Sequence, residues 1–448
     1  MQSDGVSPTS PRKVVIFTTF SSADEAYSLN RVVIDQIKML TQNGYKIKVI
    51  VAAPFEAKGE YLNPNVKIER IPIVSVHNEV KKDETFDADV TALEKSLTEI
   101  LTGADVVITH DIIYQNACLK HNFAARKVAE KMPNLRWLHW IHSATSPVTL
   151  AALRDYFSDE YLQLVSKPFP NARYVFFNNW SVPRVAKNFG VEEKLVKVVH
   201  HPTDLYELLK ISDPVRKIAE KYEFLKADVI CVYPVRLDRG KQVEYMVKTI
   251  ASMKRLDLTV KAIVIDFHST AGDKVTYRDT LKQTAIDYGL SEGELLFTSQ
   301  LRPEWSYETS HEVVGDFMRL SNVFIMPSVS ESYSLITQEA GMNRCVVVAN
   351  YDFPPFRDIF GPNVIYRKFS SNVDANSGQD GFTKTNYGGD VSEEQRPSEE
   401  KKYHYETGAM IKAKLNDGGP IALASFLRKE RNLQAIFKKE LEPLLYSD

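Results

Sequence analysis

The chain has 448 residues, of which 44% are apolar, 10% aromatic and 25% charged, a balance that excludes disordered, fibrous and membrane-embedded classes. At roughly 100 to 200 residues per domain, this length predicts two or three domains, each able to bury a large core. Lys plus Arg number 56 against 58 for Asp plus Glu, a net charge of −2, which excludes a globally basic nucleic-acid binder while allowing a local basic face.

The first residues, MQSDGVSPTSPRK, are polar and lack an apolar h-region, and later apolar runs are strand-sized; neither secretion nor integral membrane association is expected. Lys13 to Phe20 reads as a strand, and Tyr27 to Asn43 as a helix with Leu29, Val32, Val33, Ile37 and Leu40 at helical spacing. Gly44 stops that helix and 46–53 (KIKVIVAA) is a second strand, so a βαβ unit opens the chain. The alternation continues with strands at 104–110, 135–142 and 173–179 and helices near 114–131 and up to Phe189.

A break at HHPTDL (200–205) marks a domain boundary, with Asp204 expected as a helix cap and His200 and His201 as linker packing. Strands at 229–235, 260–266, 294–299, 322–327 and 344–349 then alternate with helices at about 241–253, 275–288, 310–320 and 335–342. From Ser370 to Lys402 only 5 of 33 residues are apolar, which predicts a polar surface excursion. Ile421 to Leu445 carries a helical apolar stripe and reads as one long amphipathic closing helix. The expected division is 1–205, 206–425 with its excursion at 370–402, and a closing helix over 426–448 that packs back on the first domain. The fold class is α/β: two doubly wound, Rossmann-like domains whose strand carboxyl ends face a cleft, where ligands of such sheets bind. Cys118, Cys231 and Cys345 lie more than a hundred residues apart, without metal-ligand or disulfide spacing, so a reducing, cytoplasmic setting is expected.

The chemistry concentrates in two stretches. In NVFIMPSVSESYSLITQEAGMNRCVVVAN (322–350), Glu331 and Glu339 are eight residues apart, which on one helix means about 12 Å of rise and roughly 80° of rotation. They cannot share one metal or proton, and so contact different parts of a ligand. The amides of Ser334 and Leu335 open the intervening helix and are placed to receive an anion. In VYPVRLDRGKQVEYM (232–246), Arg236 ends a strand and Lys241 begins a helix; the turn between them can converge a planar guanidinium and a compact ammonium on a diphosphate. No Walker A or Gly-x-Gly-x-x-Gly pattern appears.

Arg236-x4-Lys241 after a strand, followed about ninety residues on by Glu331-x7-Glu339 in PSxSExYSLxxxEA, resembles the donor site of retaining glycosyltransferases of family 4, which have the GT-B fold. The likeness covers most of the chain, is strong over 229–350, and before residue 200 rests on WIHS and the VHHPTDL boundary. It implies that Arg236 and Lys241 hold the diphosphate of a nucleotide sugar, Glu339 accepts the ribose hydroxyls and Glu331 touches the donor sugar. His142, in IHSATS, matches the family's active-site histidine near donor sugar and acceptor, with His110 a competitor for that role. Two departures stand out: Ser21 and Ser22 replace the glycines usual after the first strand, and Ser334 stands where glycine is common.

The activity implied is hexosyl or pentosyl transfer from a nucleoside-diphosphate sugar with retained configuration. No cofactor or metal is implied, since cations and helix amides stabilise the leaving diphosphate. The alternatives are a nucleotide-sugar epimerase or phosphorylase of the same fold, and a non-catalytic binding module. For the acceptor, no helix reads as a dense basic membrane-docking surface. The window 110–205 holds 12 Lys plus Arg against 8 Asp plus Glu and six of the ten histidines. With Trp137, Trp140, Phe176, Phe177 and Trp180 nearby, this suits a soluble or polymeric anionic acceptor, such as an acidic glycan or a hydroxylated base in modified DNA.

Overall fold

A computed structural model describes residues 12–446 except 25–26, 76–81, 144–158, 160–162, 165–166, 268–273, 329–330, 332–333, 370–395 and 418. Residues up to Asp204, together with those from Arg431 onward, form one compact unit, and Leu205–Glu430 form a second.

In the first unit the order is β1 (Val14–Phe17), α1 (Ser28–Gln42), β2 (Ile47–Ala52), β3 (Val66–Ile71), α2 (Phe86–Leu101), β4 (Val106–His110), α3 (Leu119–Lys131), β5 (Arg136–Trp140), β6 (Ala172–Phe176), α4 (Val182–Phe189) and β7 (Val196–Val198). The strands make one parallel sheet in the order β3-β2-β1-β4-β5-β6-β7. Central strands read as unbroken apolar runs because both faces are covered. Val15 and Phe17 enter one core with α2 and α3, while Val14 and Ile16 enter the other with α1.

The second unit runs α5 (Asp213–Lys221), β8 (Val229–Arg236), α6 (Val243–Met253), β9 (Val260–Phe267), α7 (Lys274–Asp287), β10 (Leu295–Phe297), α8 (His311–Leu320), β11 (Val323–Met326), α9 (Leu335–Met342), β12 (Val346–Asn350), α10 (Pro354–Phe360), β13 (Ile365–Arg367), α11 (Arg396–Asn416) and α12 (Pro420–Glu430). Its parallel sheet is ordered β10-β9-β8-β11-β12-β13. Tyr233 and Val235 face one core and Ile230 and Val232 the other. Both sheets are doubly wound, each reversing direction once: between β1 and β4 in the first unit, between β8 and β11 in the second.

Two expectations are corrected. The polar excursion falls mostly on 370–395, outside the described residues, but 396–402 is the start of α11, whose buried face is His404, Thr407, Ile411 and Leu415. That stripe has helical spacing but is half polar, which hides it from an apolar count. The closing helix is not continuous. α12 ends at Glu430, and at Asn432 a new helix starts, the side chain accepting from the Ala435 amide. It runs through α13 (Leu433–Ile436), a wider π turn (Phe437–Leu441) and α14 (Glu442–Tyr446). The division therefore falls at Glu430–Arg431 rather than at 425–426. Leu433, Ile436, Phe437, Leu441 and Leu445 enter the α1 core of the first unit, and Glu440 accepts from the His200 amide and faces its Nδ1 at 2.8 Å. Asp204 stands directly before a short helical turn (Leu205–Leu208), and its Oδ2 meets Lys38 Nζ at 3.0 Å, a buried ion pair within the first unit.

Candidate functional site

In the second unit every donor-side residue singled out from the sequence lies at the carboxyl edge of β8 and β11, where the sheet reverses direction. Such a reversal leaves a crevice that the helices on either face do not fill. Arg236 is the last residue of β8 and is exposed, its Nε 3.6 Å from Asp238 Oδ2. Lys241 closes a tight turn (Arg239–Lys241) before α6, and its Nζ lies 2.5 Å from Glu331 Oε1 in the loop after β11. Both side chains of this pair are about four-fifths buried, at 18% and 20% exposure. The two cations therefore do not converge on one protein partner; each already has a carboxylate of its own.

Ser334 precedes α9 with a φ of 68°, the left-handed conformation that otherwise favours glycine. Its Oγ lies 2.8 Å from Thr337 Oγ1, and its carbonyl accepts from the amides of Thr337 and Gln338. The amides of Ser334 and Leu335 thus come ahead of the first bonded turn of the helix. Glu339 lies one turn further on, its Oε1 3.8 Å from Nε2 of the exposed His311. The structure thus joins Lys241 to Glu331 and keeps Glu339 with a different partner. Gln242, which follows Lys241, also has a positive φ of 49°. Its amide group is buried with neither atom hydrogen-bonded among the described residues.

In the first unit a second group gathers where β4 and β5 end. His142 follows β5 and is half-buried; its Nε2 lies 3.0 Å from Nδ1 of His110, the last residue of β4. His110 is buried, and its Nε2 lies 2.9 Å from Gln36 Oε1 on α1. The two histidine rings meet edge to edge, 25° from coplanar with centroids 5.2 Å apart, and the His201 ring lies nearly parallel to that of His142 at 6.2 Å. The backbone is pinned as well: the Tyr114 hydroxyl donates to Asp111 Oδ1 and accepts from the amides of His142 and Ser143 at 3.1 and 3.2 Å. Burial, with His201 alongside, lowers His142 to about 3, and burial lowers His110 well below the usual histidine range. Both rings are neutral at pH 7. Burial raises Asp111 to about 6. Ser21 and Ser22 are exposed in a bend after β1.

Among solved structures the chain is similar to a glycosyltransferase from Rickettsia africae (14% identity, 98% of this chain and 100% of that one, TM-score 0.35). It is also similar to HepE from Anabaena in complex with UDP (13%, 96% and 99%, 0.33) and to sucrose-phosphate synthase from Thermosynechococcus elongatus (14%, 97% and 96%, 0.32). No protein-family model matches the sequence. No curated protein matches it either.

Among the described residues no group of three His, Cys, Asp or Glu side chains is arranged to hold a metal ion, and no helix is long and apolar enough to cross a membrane. The three cysteines are buried and free. The aromatic acceptor face is corrected: Trp137, Trp140 and Phe176 are core residues of the first unit, because strand aromatics point into the layers that cover the sheet. Trp180 remains, 86% exposed just beyond β6, with Arg184 and Lys187 exposed on the α4 turns that follow. Gln36, Asp111 and Tyr114 were not singled out from the sequence. Gln36 had a signal: it falls on the apolar stripe of α1, between Val33 and Ile37, where a polar side chain is buried and needs a partner.

Proposed function

We propose that the protein is a retaining glycosyltransferase of the GT-B class, moving a hexosyl or pentosyl group from a nucleoside-diphosphate sugar to a hydroxyl of a soluble or polymeric acceptor. The observation that carries this reading is the Lys241–Glu331 pair lying across the β8/β11 reversal, next to the open first turn of α9. A site that holds a cation, a carboxylate and amides unbonded among the described residues at one sheet edge suits a ligand with both anionic and hydroxyl groups. In this reading Arg236, Lys241 and the Ser334 and Leu335 amides take the diphosphate. Glu339 takes the ribose, and Glu331, released from Lys241, takes the hydroxyls of the donor sugar.

Charge grows on the diphosphate as the glycosidic bond breaks, so fixed cations and amides stabilise the transition state more than the ground state. These groups supply that stabilisation from the chain itself. His142, neutral at pH 7, is suited to accept a hydrogen bond from a sugar or acceptor hydroxyl. The basic balance of 110–205, with exposed Trp180, Arg184 and Lys187, favours an anionic acceptor: an acidic glycan or a hydroxylated base in modified DNA.

Incubation with a panel of nucleotide sugars tests the reading. Release of free nucleoside diphosphate is expected for at least one donor, with the product anomer matching the donor by NMR. No release with any donor contradicts transfer, and an inverted anomer contradicts retention. With that donor labelled, transfer to hydroxymethylated DNA or acidic glycans should weaken at high salt, whereas salt-insensitive transfer confined to lipid vesicles would refute the anionic soluble acceptor.

A further inference from the structure

We propose that Gln36 and His110 are positioning residues that lock His142 in the tautomer with Nε2 protonated, so that its Nδ1 lone pair is what faces the substrate. This rests on the reading of His142 as an active-site residue, and concerns which atom of that ring does the work.

The donors and acceptors fix the tautomer one by one. Gln36 Oε1 can only accept, so the His110 nitrogen that meets it at 2.9 Å, Nε2, carries the proton. His110 is held neutral by burial, and a neutral imidazole has one donor and one acceptor. Its Nδ1 is therefore the acceptor, and His142 Nε2, 3.0 Å away, must donate to it. That leaves His142 Nδ1 without a proton. Among the described residues nothing bonds to that atom, whereas both ring nitrogens of His110 are taken.

Exposure points the same way. His110 is 3% exposed and cannot meet a ligand, whereas His142 is half-buried. The competition between these two histidines thus ends in a division of labour, with one ring facing outward and the other orienting it. Gln36 is itself 1% exposed, and its Nε2 has no partner among the described residues. The bond to His110 is then the amide's purpose at that position, since a leucine would complete the apolar stripe of α1 at lower cost. The bond to His110 and the Tyr114 clamp on the His142 amide, with the His201 ring nearly parallel at 6.2 Å, leave the ring little freedom to turn away.

Long-range proton–nitrogen NMR on the full chain with labelled histidine reads the tautomer directly, the His142 signals being assigned by their loss in His142→Asn. The expected result is a protonated Nε2 and a bare Nδ1 in the wild type, and a mixture of tautomers in Gln36→Met. Sugar transfer by Gln36→Met should fall about tenfold in kcat, with the donor KM within about twofold. His110→Asn, whose carboxamide oxygen can still accept from His142 Nε2, should keep more turnover than His110→Phe. A protonated Nδ1 in the wild type, as a reversed Gln36 amide would impose, overturns the proposal whether or not the variants fold. So does a single unchanged tautomer in Gln36→Met. The tautomer is read without substrate, so a wild type with bare Nδ1 that transfers no sugar would refute the glycosyltransferase reading and leave the relay standing.

Discussion

At the scale of single residues, Lys241 and Glu331 neutralise each other across 2.5 Å. A diphosphate must compete with Glu331 for Lys241, so the glutamate opposes phosphate binding while serving the sugar. Glu331→Gln should therefore lower turnover and tighten binding of the free nucleoside diphosphate by up to several-fold, the scale of a partly exposed ion pair at about 0.3–1 kcal/mol. Glu339→Gln should instead weaken donor binding with a smaller effect on kcat. Steady-state kinetics with calorimetry separates the two; the reverse partition would exchange their places on the ligand. The residue types and spacing of this site were legible in the sequence, because Arg236, Lys241, Glu331 and Glu339 each sit beside a strong strand or helix signal. Their pairing was not legible, since it depends on a 90-residue contact between two loops.

At the scale of elements, turns and close approaches carry information that periodicity does not. α9 ends with Arg344 exposed at a φ of 65°, while the amides of Arg344 and Cys345 bond back to Gly341 and Ala340. Glycine is the residue this closing position favours. Arg344→Gly should stabilise the protein by about 0.5–1 kcal/mol, read as a higher urea midpoint. The opposite sign is expected at Gly408 on α11, where an added Cβ would meet Met253 Cγ at 2.9 Å. Gly408→Val should cost about 1–3 kcal/mol by overpacking α11 against α6; an unchanged midpoint would show that the helices separate freely. The elements missed in the sequence share a cause. β3 is a partly exposed strand carrying Lys67, Glu69 and Arg70, β7 and β13 are three residues long, and α11 buries His404 and Thr407. α2 is different: Phe86, Val90, Leu93, Leu97 and Leu101 are its buried face, a regular stripe legible in the sequence. The central strands were clear because burial on both faces made them uniformly apolar.

At the scale of the whole molecule, two units repeat one topology, and each places its candidate residues at its own carboxyl edge, near the point of reversal. The first unit buys this at a cost in acid, for its β4 and β5 edge is built from buried neutral histidines. Burial lowers His139 to about 3 and, on α3, His121 to about 4, while the unfolded chain takes up those protons near pH 6.5. Stability is therefore full above pH 6.5 and falls as pH drops toward 4, because the unfolded state binds protons that the native state refuses. Asp111, raised to about 6, works the other way between about 4 and 6, but it is one group against His121, His139 and His142. Urea unfolding at pH 7.5 and 5.5 should show a clear loss on acidification, reduced in His139→Phe; a pH-independent midpoint would contradict the neutral histidine core. Binding of a nucleoside diphosphate at the β8/β11 edge is tested by calorimetric titration of nucleoside diphosphates into the wild type, Arg236→Ala and Lys241→Ala. Binding to the wild type that weakens by about 1–3 kcal/mol in each variant is the predicted result, and affinity unchanged in both would contradict it.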